Sequence, residues 1–321
     1  FGYKVAIDGA RVAVTCFGDI PTTAARNGNI YIYDLNSPTP STPVMELANP
    51  APAYVWDEFG ASLALSGNRV IVGTPGYEPA RSGRVYVFDL GSPTPATPAL
   101  TINNPGTSSA AFGWDVALSG GSLLVGAPDA NPGATDAGRA YLFDLNGATP
   151  GTPVQTLDNP FPNSNDRFGW AVDISGSGAA VSAIYDGPGG SGPGRVHVYN
   201  FAGPTPSTPV TTLASPNPGP DSNFGYTLSV VGARVLVGTP TASLASPPRP
   251  NAGRAYLFDL GSATPLSPVV TYTHPAASSE DQFARSVAFD GDLAIFGTPL
   301  DDVLGFPNRG TVQVFGPDTT L

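Results

Sequence analysis

One stretch recurs six times along this chain and constrains the fold more than any local pattern does. Residues 59–105, FGASLALSGNRVIVGTPGYEPARSGRVYVFDLGSPTPATPALTINNP, open with a Phe-Gly pair and turn at Ser66-Gly67-Asn68. They run apolar through Val70-Ile71-Val72, break at Gly73-Thr74-Pro75, and run apolar again through Val85-Tyr86-Val87-Phe88. A Pro-Thr stretch then leads to Ala99-Leu100-Thr101-Ile102. The order restarts at Phe1, Phe59, Phe112, Phe168, Phe224 and Phe283, at intervals of 53 to 59 residues, the last with Ala284 in place of the glycine. A period of that length identifies a repeat architecture, in which each unit buries its apolar faces against its neighbours. The units are 1–58, 59–111, 112–167, 168–223, 224–282 and 283–321, and residues 1–321 read as a single domain.

Each unit reads as four strands, A to D. The A strand ends in a short glycine turn, such as Asp8-Gly9-Ala10 or Ser119-Gly120-Gly121, and such turns between apolar runs make antiparallel hairpins. Strands B and C are apolar at consecutive positions, so both of their faces are expected to be covered. A two-layer sandwich would give alternation instead, and a parallel β-helix has neither hairpin turns nor so long a repeat. Four-stranded sheets stacked face to face fit, which is a β-propeller with one unit per blade. Strand D is flanked by prolines (Pro40, Pro43, Pro95, Pro98, Pro206, Pro209) and is placed on the outer edge, where a missing N–H does no harm. The sixth unit stops after Thr311-Val312-Gln313-Val314-Phe315 without a D strand. The expectation is therefore an all-β propeller of six repeats with four antiparallel strands per blade, the last blade lacking its outer strand. Direct closure of six blades is preferred over a larger parent propeller. Because the first residue is Phe and falls on a repeat boundary, the chain is expected to be an excised part or mature fragment of something longer.

Composition narrows the function classes. There are 25 acidic and 14 basic residues, Lys4 is the only lysine, and the net charge is -11. Phosphate backbones and anionic lipids are bound through clustered cations, so nucleic acid and membrane surfaces are excluded as partners. No run reaches the ~18 apolar residues of a membrane helix. Cys16 stands alone and takes the repeat position of Thr74, Ala127 and Thr239, so it reads as a small buried residue rather than a reactive thiol.

The two motifs that recur in phase, Phe-Gly opening strand A and Gly126-Ala127-Pro128 closing strand B, resemble the FG-GAP repeat of integrin α-subunit propellers and bacterial surface proteins. Gly73-Thr74-Pro75, Gly238-Thr239-Pro240 and Gly297-Thr298-Pro299 are near copies of the second motif, whereas unit one has Thr15-Cys16-Phe17 and unit four Ser182-Ala183-Ile184. The resemblance covers all six units. It implies a propeller of four-stranded blades, an extracellular or cell-surface location, and a non-catalytic adhesive or scaffolding role. The chain departs from the integrin pattern in its A-to-B turns, which are too short to supply the six to eight oxygens calcium needs. No metal and no cofactor is expected there.

Residues that could carry chemistry are few. His197 lies inside strand C of unit four, where its counterparts are Tyr86, Tyr141 and Tyr256, and is expected to be a packed strand residue; His274 lies in a D-to-A loop and is expected to be exposed. No nucleophile elbow and no Cys/His cluster is present. The glycine-rich run 187–194 lacks the lysine of a phosphate loop and reads as a connector. Arg84, Arg139, Arg195 and Arg254 precede strand C, while Asp57, Asp166 and Asp281 sit two residues before the repeat phenylalanine; a repeated structural ion pair between the two rows is expected.

The A-to-B turns and C-to-D connectors are stereotyped, whereas the B-to-C and D-to-A loops vary and must emerge on one face. That face carries the candidate ligand-binding residues Tyr54, Trp56, Asp57, Tyr77, Glu78, Asp129, Asp136, Tyr185, Asp186, Asp301 and Asp302. The reading is a scaffold or adhesion module that binds a protein or glycan there, and not an enzyme. A propeller hydrolase or lectin and a purely structural spacer are the alternatives. Sialidase boxes are absent, and Trp56, Trp114 and Trp170 do not recur once per blade as lectin aromatics would.

Overall fold

The computed structural model describes residues 1–16, 28–51, 57–76, 82–106, 109–187, 191–218, 223–245, 247–303 and 306–316. Among them there is no helix, and the strands form six blades of a β-propeller. Blade 1 is β1 (Val5–Asp8), β2 (Arg11–Cys16), β3 (Asn29–Asp34) and β4 (Met45–Ala48); blade 2 is β5 (Ser62–Ser66), β6 (Arg69–Thr74), β7 (Arg84–Asp89) and β8 (Leu100–Asn103). Blade 3 comprises β9 (Val116–Ser119), β10 (Ser122–Ala127), β11 (Arg139–Asp144) and β12 (Gln155–Asp158), and blade 4 comprises β13 (Phe168–Ser175), β14 (Gly178–Ala183), β15 (Arg195–Asn200) and β16 (Thr211–Ala214). In blade 5, β17 (Thr227–Val231) and β18 (Arg234–Thr239) are separated from β21 (Arg254–Asp259) and β22 (Val270–Tyr272) by a small ribbon, β19 (Leu244–Ala245) with β20 (Pro248–Arg249). Blade 6 has three strands, β23 (Ser286–Phe289), β24 (Ala294–Thr298) and β25 (Thr311–Phe315). Sequence neighbours pair antiparallel in every blade, in the order A-B-C-D. The chain divides into two compact units, Phe1–Asn159 and Pro160–Leu321, with three blades each.

Local chemistry explains the regular end of each blade. Pairing of Asp8 with Arg11 and of Ser66 with Arg69 leaves two-residue A-to-B loops whose first residue is Gly9 or Gly67, each at φ 58°. At the end of strand C, Asp34, Asp89, Asp144 and Asp259 accept backbone N–H bonds from residues two further on, which starts the turn toward strand D. Blade 6 has the longer A-to-B turn, and there the Asp290 carboxylate accepts the N–H groups of Asp292 and Leu293. Those two bonds hold its carboxyl below the usual carboxylate range.

The core lies between blades rather than within them. Ala13, Ile30, Ile32 and Leu47 of blade 1 pack against Phe59, Leu65, Val70, Val72, Tyr86 and Phe88 of blade 2. The same set of positions joins blade 2 to 3, 4 to 5 and 5 to 6. This is why strands B and C are apolar on both sides. Blade 6 departs from the expectation. Its strands rest on blade 5 through Phe296 and Phe315, but Val312 and Val314 on the other face are 70% and 60% exposed. Their counterparts in blade 2, Val85 and Val87, are 0% and 5% exposed. The pattern in β24 and β25 is therefore the two-residue alternation of a sheet covered on one side. Cys16 is buried, as its repeat position implied.

The two recurring motifs meet at the blade junctions. The Gly113 carbonyl of blade 3 accepts a 2.7 Å hydrogen bond from Ser62 Oγ on strand A of blade 2. It also lies so close to Gly73 that a Cβ there would fall 2.1 Å from it. Between blades 5 and 6 the Ala284 carbonyl meets Thr227 Oγ1 and Gly238 in the same way. Gly83 and Gly253, just before strand C, abut the backbones of Phe112 and Phe283 as closely and form parallel bridges with them. The Phe-Gly segment is thus gripped by two glycines of the preceding blade. The two units that lack the second motif carry the hydroxyl on strand B instead, and there it bonds strand A of its own blade. In blade 4 the pair Ser62/Gly73 becomes Ala171/Ser182, and Ser182 Oγ accepts from the Ala171 N–H at 2.9 Å. In blade 1 it becomes Lys4/Thr15, with the Lys4 N–H donating to Thr15 Oγ1 at 2.8 Å.

Gly73→Ala should therefore cost about 1–3 kcal/mol, the usual penalty for overpacking. Ser62→Ala should cost about 1–2 kcal/mol by leaving the Gly113 carbonyl without its donor. Combining Ser62→Ala with Gly73→Ser, which copies blade 4, should lose less than the sum of the two single changes in urea denaturation. Full additivity would show that the two positions do not share one polar junction.

Candidate functional site

The B-to-C and D-to-A loops of each blade emerge together, as the strand order requires. The Gly76 N–H donates to the Asp57 carbonyl, Asp129 N–H to the Ala110 carbonyl and Tyr185 N–H to the Asp166 carbonyl. Of the residues singled out from the sequence, Tyr54, Trp56, Tyr77 and Glu78 lie outside the described residues. Asp129, Asp136 and Tyr185 are half-buried, and Asp302 is exposed with its Oδ1 accepting the Asn308 N–H. Asp57, Asp186 and Asp301 are buried.

Asp57 is a clasp within its own loop. Asn49 Nδ2 donates to its Oδ2 at 2.6 Å and the Phe59 N–H to its Oδ1 at 3.3 Å, which ties the end of strand D to the next strand A. Burial raises its carboxyl above the ordinary value, and these two bonds only partly offset that. The expected Arg–Asp pairing between rows is redistributed. Arg139 pairs with Asp158 of strand D, and Arg195 pairs with Asp186 of the B-to-C loop. Asp57 finds an amide, with Arg84 a lesser influence. Geometry decides this: antiparallel register sets Arg139 directly opposite Asp158.

Two clusters on this face carry chemistry. In blade 4, Asp186 is held by Arg195 Nη1 at 3.1 Å and by His197 Nε2 at 3.3 Å, while His197 Nδ1 lies 3.1 Å from Thr212 Oγ1. The imidazole is fully buried beside the Phe168 ring, in keeping with a packed strand residue.

In blade 6, His274 lies between two carboxylates. Its Nε2 is 3.2 Å from Asp301 Oδ2, and its Nδ1 is 4.0 Å from Asp281 Oδ2. Asp281 accepts the Ser278 N–H at 2.5 Å, and Asp301 accepts Thr311 Oγ1–H at 2.6 Å. Burial, the larger cause, and the neighbouring Asp301 charge push the Asp281 carboxyl up. The sequence placed His274 in solvent, and the structure corrects this: it is only 8% exposed, and its ring lies tilted against Phe283. The reason is its repeat position. Pairing of Tyr272 with Ala255 and of Leu47 with Ile30 makes His274 the counterpart of Asn49, so its side chain points at Asp281 as Asn49 points at Asp57. Aligning the ends of the D strands would have exposed this, but those strands are short and weakly patterned.

One donor atom from each of His274, Asp281 and Asp301 lies within 4.8 Å of the others. Such a set can hold a cation or a proton. Its burial keeps it from touching a bulky substrate.

The FG-GAP repeat family model matches at residues 54–88, 102–143, 162–199 and 273–315. No curated protein matches the chain.

The clasp in blade 2 sets a pH dependence. Because burial favours the neutral form of Asp57, the folded chain retains a proton that the unfolded chain has released. Its contribution to stability then falls as pH rises from the ordinary carboxylate range, about 3.9, through the raised folded value. Asp57→Asn keeps an acceptor and removes the titration. Urea midpoints of this variant should gain on the wild type between about pH 4 and pH 7; a constant difference across that range would refute the assignment.

Proposed function

Because the chain is a β-propeller of FG-GAP repeats, we propose that it is a non-catalytic binding module that engages a protein or glycan through its B-to-C and D-to-A loops. The observation that carries this reading is the contrast between the two ends of the blades. On one end, the same C-to-D turn recurs with the same bond, Thr42 N–H to the Thr39 carbonyl, Thr97 to Thr94, Thr152 to Thr149 and Thr208 to Thr205. On the other end every blade differs, from the Asn49–Asp57 clasp to the Asp186–Arg195–His197 cluster and the ribbon of blade 5. Irregular loops on a rigid scaffold give a specific surface, whereas identical ends would offer one weak contact many times over.

A non-catalytic role fits the burial of the acidic groups. A glycosidase pair must flank its substrate from accessible positions, and Asp281 and Asp301 are both more than nine-tenths buried. An adhesive function outside the cell is the corresponding location. No helix among the described residues is long and apolar enough to cross a membrane.

A glycan array and a pull-down with the intact chain test the reading. Interface aromatics often contribute ~2 kcal/mol or more each. Trp56→Ala or Tyr77→Ala should therefore weaken the captured partner at least about tenfold while the melting temperature stays within a degree or two. Leu266→Ala on the exposed C-to-D end should have no effect on binding. Loss of binding with Leu266→Ala alone would move the site to the regular face, and an absence of any partner would favour the spacer.

A further inference from the structure

We propose that His274, Asp281 and Asp301 form a binding site for a divalent first-row transition metal, zinc or manganese, which fastens the D-to-A loop of blade 6 to its B-to-C loop. This inference stands apart from the binding role above. It starts from the charge balance of two related clusters. Asp186 and Asp301 occupy the same repeat position, each with its N–H bonded to the carbonyl three residues back, at Ala183 and Thr298. In blade 4 the buried Asp186 is neutralised by Arg195, the first residue of β15. In blade 6 the first residue of β25 is Thr311, whose hydroxyl supplies a hydrogen bond but no charge. Asp281, the counterpart of the buried Asp57 and Asp166, here stands in the same cluster as Asp301. Two carboxylates out of water share a single imidazole in a low-dielectric site. Buried charge of this kind is paired or coordinates a metal.

The second observation is the imidazole itself. His274 is more than nine-tenths buried, and its Nδ1 makes no hydrogen bond, standing 4.0 Å from the nearer oxygen of Asp281. A buried ring nitrogen left in this state beside a carboxylate is where a ligand would bind.

The geometry fits a cation of this class. Metal–donor bonds of about 2.1 Å place adjacent donors about 3 Å apart and opposite donors about 4.2 Å apart. The three donors, all within 4.8 Å of one another, must draw together by up to about 1.4 Å to reach the roughly 3.4 Å donor spacing of a tetrahedral zinc site. One nitrogen with two carboxylate oxygens suits zinc or manganese, and water would complete the shell. Calcium prefers six to eight oxygens and would find too few here. The carboxylates are already oriented, Asp281 by the Ser278 N–H and Asp301 by Thr311, itself bonded by Gln313. Outer hydrogen bonds of that kind fix the direction of metal ligands.

The repeat supplies the decisive variant. His274→Asn installs the residue that clasps Asp57 in blade 2, so it should keep the loop folded while removing the nitrogen donor. The untagged chain, stripped with chelator, is dialysed against zinc, manganese or calcium, and bound metal is counted by elemental analysis alongside the melting temperature. About one zinc or manganese per chain and a rise of several degrees are expected for the wild type and for Asp302→Asn. Neither is expected for His274→Asn. Should His274→Asn fail to fold, Asp301→Asn replaces it with the same expectation. Undetectable zinc and manganese in the wild type, binding that survives both substitutions, or binding of calcium alone would each overturn the proposal.

Discussion

Where strand B carries Gly73 or Gly238, the blade junction depends on a contact that only glycine permits. The Phe-Gly turn projects a backbone carbonyl into the preceding blade, where a strand B glycine leaves room for it and a strand A hydroxyl donates to it. Gly60, Gly113 and Gly225 hold φ near 90°, a region an L side chain rarely enters, so the turn itself also requires glycine or strain. Ala284 takes φ 65° in the last blade and still presents its carbonyl to Thr227. Where Thr15 and Ser182 replace that glycine, Gly28 and Gly194 still abut the backbones of Phe59 and Phe224, as Gly83 and Gly253 abut Phe112 and Phe283, and all four phenylalanines bury completely against the neighbouring sheet. The phenylalanine contributes area, while the glycine before strand C decides where it lands.

This accounts for what could be read in the sequence. The Phe-Gly pair and the Gly-Thr-Pro triad are two halves of one junction on consecutive blades, so their phase had to repeat, and fold, strand order and blade limits follow from it. Covering of both faces in strands B and C could be read for the same reason. The sequence pattern was silent on the exceptions. Val312 and Val314 have the same chemistry as Val85 and Val87, and their exposure depends on what lies beside them, which no residue in the strand encodes.

The polar side of the molecule was less legible because its residues are replaced by function rather than by type. Asn49 and His274 do the same positional work, one with an amide and one with an imidazole, yet nothing in Asn-Pro-Ala compared with His-Pro-Ala says so until the D strands are in register. The hydroxyl near the blade junction also changes place, residing on strand A as Ser62, where it bonds the next blade, and on strand B as Ser182, where it bonds its own. A motif search registers the second case as a broken triad. Physically the hydroxyl has turned from the next blade's carbonyl to the backbone of its own blade.

Repetition and variation therefore divide along the strands. Strand centres and the regular turns are fixed by packing and by backbone hydrogen bonds that each blade must make. At the B-to-C and D-to-A end, the backbone bonds between loops, such as Gly76 to Asp57 and Tyr185 to Asp166, already hold the chain in place. Side chains there can change without loss of the blade. One substitution at the first residue of strand C, arginine in blade 4 and threonine in blade 6, replaces an ion pair to the buried aspartate by a hydrogen bond. The free-energy cost of that change falls on buried charge alone, because the surrounding loop geometry is preserved by backbone bonds. In a repeat protein this is the route by which one blade acquires a chemistry that the other blades lack.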